Sequence, residues 1–216
     1  MRSTVIIVAL GCLFNLPLQS QQDRTTKATS REARKMVVPG FRLGLNNANI
    51  YGVSGASFSS GRKRGYAAGA FIALPINRFF GIQPEVMLLQ KGFSGSGNLN
   101  GEQFGLVKTT THVDIPVQFQ LKLLRWFSFL VGPQYSFQLN ESTTYSGAYN
   151  NAPPHNIFEN DKSGAGVLGA ILGMDFNLGH FVLSWRSGWD TQSSQAAGSP
   201  SYRNRWIQGT VGYRFY

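Results

Sequence analysis

From Phe127 to Asn140 the chain reads FSFLVGPQYSFQLN, and the large apolar residues fall on every second position. Phe127, Phe129, Val131, Pro133, Tyr135, Phe137 and Leu139 make one face, while Ser128, Leu130, Gly132, Gln134, Ser136, Gln138 and Asn140 make the other. Successive side chains of a strand point to opposite sides, so this period of two predicts a β-strand with unlike faces. The same rule holds upstream, where Val113, Ile115, Val117, Phe119 and Leu121 alternate with His112, Asp114, Pro116, Gln118, Gln120 and Lys122. It returns near the C-terminus, where Phe181, Leu183, Trp185 and Trp189 alternate with Val182, Ser184, Arg186 and Asp190. Applied along the chain, it predicts strands over roughly 40–50, 64–75, 79–93, 107–122, 126–141, 164–177, 180–190 and 204–216. Several reach the roughly 9–11 residues that a tilted strand needs to cross a bilayer.

The connections alternate in length. Short ones fall at Asn77-Arg78, Leu123-Leu124-Arg125 and Asn177-Leu178-Gly179; long ones, rich in Gly, Ser, Asn and Pro, fall at about 51–63, 94–106, 142–163 and 191–203. Short turns at one end and long loops at the other are the asymmetry of an outer-membrane barrel. The expected fold is all-β, an eight-stranded antiparallel up-and-down transmembrane β-barrel, with both termini on the periplasmic side.

Composition changes this picture only in deciding which face is outside. Hydrophobic residues are 42% and charged residues 14%, and no apolar run is long enough to span as a helix. A membrane barrel needs only every second residue to be apolar, so average hydropathy does not exclude it. A soluble, lipocalin-like barrel would turn its aromatics inward. With 16 Phe, 8 Tyr and 4 Trp in the chain, an eight-stranded interior lacks the volume for that. Aromatics outward and polar residues inward is the arrangement that fits.

Residues 1–20 have the form of a signal peptide, with Arg2, an apolar stretch from Val5 to Phe14, and a cleavage site near Leu18-Gln19-Ser20. Cys12, the only cysteine, lies within it, so no disulfide framework is expected in the mature chain. Residues 21–39 begin QQDRTTKATSREARK and suggest a flexible basic periplasmic arm, leaving 40–216 as the barrel. The formal net charge of +10 raises nucleic acid as a partner. However, the Lys and Arg are scattered, with no basic helix or aromatic-basic motif, and attraction to outer-membrane lipid accounts for them as well.

The inward face carries Arg42, Glu85, Lys91, His112, Asp114, Arg186, Asp190 and Arg214. Of these, Arg42, Glu85, Lys91, Asp114, Arg186 and Arg214 are expected to form a structural lumen network, with Glu85 and Asp114 as central acceptors. His112 and Asp114, two apart on one strand, raise a hydrolase alternative, yet no strained nucleophile turn or third member accompanies them. His112, His155 and His180 are dispersed, so no metal and no cofactor is expected. The glycines at 164, 166, 169 and 173 point to close packing and curvature, and Pro84, Pro116 and Pro133 to bulges. In the connection at 142–163, Tyr145, Tyr149, Pro153, Pro154 and Phe158 offer either a binding surface or packing within the loop.

Three stretches, GIQPEVMLLQKG from Gly81, DIPVQFQLK from Asp114 and GPQYSFQL from Gly132, together resemble the PorT-like outer-membrane β-barrel ("porin family") proteins of Bacteroidota. The resemblance spans about 40–216. Gly212-Tyr213-Arg214-Phe215, followed by Tyr216, is similar to the aromatic C-terminal signal read by the barrel-assembly machinery. The resemblance implies a cell-outer-membrane barrel reached through the periplasm and little about activity. The expected role is structural or binding, without catalysis, with lipid and the assembly machinery as partners and an unidentified protein or ligand at the external loops. The alternatives are a narrow porin-like channel and, from another class, a lipid-modifying hydrolase.

Overall fold

The computed structural model describes residues 36–51, 58–99, 102–147, 166–192 and 202–216. The signal segment, most of the arm, Cys12, His155 and Gly164 lie outside the described residues. Eight strands follow one another: β1 (Val38–Tyr51), β2 (Phe58–Pro75), β3 (Phe80–Leu99), β4 (Glu102–Leu121), β5 (Phe127–Gly147), β6 (Gly166–Leu178), β7 (Phe181–Asp190) and β8 (Arg203–Arg214). Each pairs antiparallel with its neighbours in sequence, and β1 pairs with β8 to close the barrel. Closure leaves no edge strand, which is what lets a sheet sit in hydrocarbon.

The alternation separates the two sides of the wall as expected. On β1, Leu45 is 72% exposed while Arg42 is fully buried. On β7, Phe181, Leu183, Trp185 and Trp189 face out and Val182, Ser184, Arg186 and Asp190 face in. The inner face is less polar than the sequence pattern implies, because Phe71, Phe93 and Trp206 are buried inside it with Met87, Leu89 and Ile171. These residues sit where a neighbouring strand offers a small side chain. A Cβ on Gly188 would collide with the Trp206 ring, for example.

The end holding the short turns is ringed by aromatics. Phe41 stacks on Tyr213 at 6.2 Å, Trp126 on Phe176 at 6.1 Å and His180 on Tyr216 at 4.6 Å. Asn77 closes the β2–β3 turn by accepting from the Phe79 and Phe80 backbone N–H groups at 2.8 Å. Gly179 takes a left-handed φ of 61° between β6 and β7, a conformation that glycine adopts without steric cost.

Three details differ from the sequence reading. The strands β2 to β5 run on past the apolar pattern, so three long connections are replaced in part by paired backbone. β3 and β4 stay in register to Leu99↔Glu102, which removes the long loop at 94–106. Likewise β2 begins at Phe58 and β5 extends to Gly147. Ser, Thr and Gly in these extensions lack an apolar period, yet ladder pairing needs only backbone groups. The prolines do not coincide with bulges: register is the same on both sides of Pro84 and Pro116, and Pro133 pairs with Ala170 in an unbroken run. The register shifts lie instead between Arg62 and Ala67 and at Thr111/His112. Finally, β1 begins at Val38, inside the span assigned to the arm.

Candidate functional site

The interior is stacked in charged layers, each assembled from inward positions of several strands. Nearest the short turns, Arg42 on β1 lies 3.3 Å from Glu85 on β3 and 3.8 Å from Asp175 on β6. Arg186 on β7 meets Asp175 at 2.7 Å and Glu85 at 3.5 Å. Two cations and two carboxylates therefore share one buried ring of contacts and cancel in charge. The Arg42 contacts are ionic without hydrogen-bond geometry, since none of its guanidinium nitrogens has a hydrogen-bond partner. Its other support is the Phe71 ring, 4.3 Å away. Arg186 in addition donates to the Met174 and Trp185 carbonyls at 3.1 Å. Gly173 makes room for it, as a Cβ there would strike the Arg186 side chain.

The next layer centres on Lys91 of β3. It pairs with Asp114 of β4 at 2.8 Å and donates to Ser136 of β5 at 3.1 Å. Gln134 donates to the same Asp114 oxygen at 2.7 Å. Beside it lies an apolar cluster of Ala48, Ala67, Met87, Leu89, Ile171 and Trp206. Toward the other end, Lys108 on β4 pairs with Glu141 on β5 at 2.7 Å. The ring of Tyr202, just before β8, lies 5.7 Å from the Lys108 ammonium and 5.6 Å from the Phe93 ring. Burial, assisted by Glu141 and Asp190, pushes the Tyr202 phenol above its ordinary value, so it stays protonated.

Of the six residues expected to form a lumen network, Arg42, Glu85 and Arg186 meet in one cluster and Lys91 and Asp114 in another. Arg214 joins neither. It sits at the turn end, donating to the Gly179 carbonyl at 2.9 Å with its guanidinium 5.5 Å from the Tyr216 ring. Asp190 accepts from Asn204 at 2.8 Å. The sequence reading missed Asp175, Lys108 and Glu141. Asp175 carried a signal: it is the one acid in GVLGAILGMDFNL, in phase with Gly169, Ile171 and Gly173. Glu141 did not, because a residue is inserted near Leu139 where the β4 partners step from Thr111↔Asn140 to His112↔Gln138, and this reverses the faces above it.

His112 and Asp114 are both buried, but they do not pair. His112 Nε2 is 3.0 Å from Thr110 Oγ1, while Asp114 is engaged by Lys91 and Gln134. The triad geometry that acyl transfer requires is therefore not assembled around them. Among the described residues, no group of three or more His, Cys, Asp or Glu is placed to hold a metal.

No curated protein matches the chain in sequence. Among solved structures, it is similar to Ail, the attachment invasion locus protein of Yersinia pestis, in complex with the heparin analogue sucrose octasulfate. That match has 12% identity and a TM-score of 0.47, over 83% of this chain and 99% of that one. It is also similar to the outer membrane protein OprG of Pseudomonas aeruginosa, with 14% identity and a TM-score of 0.44 over 84% and 97%. Neisserial surface protein A is another match, at 12% identity and a TM-score of 0.40 over 81% and 97%. The family model described as outer membrane protein beta-barrel domain matches residues 19–189. That is most of the chain, and with the closed eight-stranded barrel it establishes that the protein belongs to this outer-membrane β-barrel family.

Proposed function

We propose that this protein is a structural or binding barrel of the outer membrane whose lumen is filled by side-chain networks and neither conducts solutes nor catalyses a reaction. The observation that carries the reading is the cluster of Arg42, Glu85, Asp175 and Arg186, which joins β1, β3, β6 and β7 across the interior. An eight-stranded barrel has an interior only just wide enough for side chains. Two bulky guanidinium groups locked to two carboxylates, with Trp206 and Phe93 buried beyond them, leave little passage for solute.

The three motifs beginning at Gly81, Asp114 and Gly132 support placing it among the PorT-like proteins of Bacteroidota, exported by a signal peptide at 1–20 and delivered to the barrel-assembly machinery through its aromatic C-terminal strand. Outer-membrane lipid is its surrounding partner; an unidentified protein or ligand would meet the external loops, and nucleic acid is not a partner. Purified protein in planar bilayers should give no steady single-channel current. A stable conductance in the wild type would overturn the filled-lumen reading in favour of a narrow channel. Lipid hydrolysis by the wild type that is lost in His112→Ala would overturn the non-catalytic one.

A further inference from the structure

The outer wall is sorted by charge. Among the described side chains, the carboxylates are Glu85, Asp114, Glu141, Asp175 and Asp190, and all face the interior. Among the described side chains the exposed wall carries charge of one sign only, and at the loop end that charge is on one side. Strand register places Trp189, Arg205 and Asn49 in one row across β7, β8 and β1. The row beneath is Ser187, Ile207, Asn47 and Arg64, and the next is Trp185, Gly209, Leu45 and Tyr66. Arg203, opposite Tyr51, stands above them. The wall thus passes from apolar rows to arginines within two steps of the ladder. On β3, β4 and β5 the outward rows next to the bulge are Gln90, Thr111 and Asn140, then Gly92, Thr109 and Ser142, without a charge.

The arginine side also holds a notch. Asn47, Asn49, Arg62, Ser187, Arg205, Trp206 and Ile207 line an open cavity of about 250 Å³, which brings Arg62 of β2 and Arg205 of β8 to one site. Arg62, Arg64, Arg203 and Arg205 are all exposed, and none makes an ion pair among the described residues. One enclosed polar atom at the notch has no hydrogen-bond partner: Asn47 Oδ1, an acceptor.

We infer that this notch binds a phosphorylated glycolipid of the outer leaflet, its phosphate held by Arg62 and Arg205 with Arg64 and Arg203 adding attraction. Four unpaired guanidinium groups with no carboxylate among them suit a phosphate, which arginine grips through paired N–H donors. The Asn47 and Asn49 side chains on the lining suit sugar hydroxyls. The apolar row directly below, Trp185, Leu45 and Tyr66, gives acyl chains a surface, so an amphiphile meets both halves of its own chemistry. A free anion would use only the upper half. The inference rests on the outer-membrane placement and orientation, and it is independent of whether the lumen conducts.

The test is native mass spectrometry of the detergent-extracted mature protein titrated with lipid A, with its dephosphorylated counterpart, and with inorganic phosphate. Wild type should retain a single lipid A per barrel, and removing the phosphate from the lipid should weaken binding about tenfold or more. R62Q/R205Q should lose binding to a similar degree, and R64Q/R203Q more weakly. R78Q/R125Q, at the opposite rim, should bind as wild type does. Heat-modifiable migration on a gel verifies that each variant is folded; if R62Q/R205Q fails that check, the single variants R62Q and R205Q carry the comparison. Equal binding by wild type and the notch variants, or indifference to the lipid phosphate, would overturn the inference. Displacement of the lipid by equimolar inorganic phosphate would overturn it too, by making the notch a site for free anions. Failure of the filled-lumen reading would show separately, as current in a bilayer.

Discussion

Replacing Glu85 with alanine should cost the barrel about 3–5 kcal/mol, the range found when one partner of a buried ion pair is removed. Glu85 lies 3.3 Å from Arg42 and 3.5 Å from Arg186. At an effective dielectric of about 20, each attraction is worth roughly 5 kcal/mol. The variant is relieved of desolvating a carboxylate and keeps Asp175, but two guanidinium groups then share one acid, and Arg42 holds it only at 3.8 Å. Arg42 has no hydrogen bond to fall back on. The surplus charge, rather than the missing contact, should dominate. The double variant Glu85→Gln/Arg42→Met is therefore expected to recover at least half of the loss, because it restores neutrality around Arg186 and Asp175 and fills the space with apolar atoms. Urea-dependent refolding into phospholipid vesicles, followed by tryptophan fluorescence and heat-modifiable migration, measures both. A cost below about 1 kcal/mol for Glu85→Ala would refute the reasoning, since it would mean that water already compensates these charges and the lumen is open to it.

Leu183→Arg, on the exposed apolar wall, should destabilise the barrel by about 2–4 kcal/mol in bilayers, whereas Ser142→Arg, on the extension of β5 beyond the apolar rows, should be nearly neutral; equal costs in vesicle refolding would place the membrane boundary wrongly. Gly173→Ala should cost about 1–3 kcal/mol in the same assay by driving Arg186 off Asp175, and an unchanged midpoint would show that the Arg186 position is not set by that close approach.

The barrel was legible where one face of each strand meets lipid, because that environment imposes a period of two on the residues themselves. Phe127 to Leu139 shows it without interruption, and Phe181 to Asp190 breaks it only at Ser187. Beyond the membrane the demand lapses. The stretch from Ser94 to Leu99 pairs with Glu102 to Val107 as regularly as any other part of the sheet. It reads SGSGNL, with one apolar residue and no alternation, so the sequence there resembles a loop. Pattern reports burial; pairing is a property of the backbone, and the two part company at the point where the wall leaves the bilayer.

The interior was legible by face but not by partner. Alternation put Arg42, Glu85, Lys91, Asp114 and Arg186 inside, yet it cannot say which strands lie opposite across a lumen, nor at what height. Asp175 completes the Arg42–Glu85–Arg186 cluster from β6, a strand whose only other polar side chain is Asn177 near its end. Arg214 shares the inward phase but stands level with the turns, where the Gly179 carbonyl meets it instead of an acid. Height also explains the charge of the wall. Inside, a buried cation is costly without an acid beside it, so the described acids are drawn inward and matched there. Outside, at the rim, an arginine keeps its charge in contact with solvent and needs no protein partner. The basic excess of the chain is in this part the residue of that sorting. It is displayed at Arg62, Arg64, Arg203 and Arg205, on the side of the barrel where the wall changes from apolar to polar within two steps.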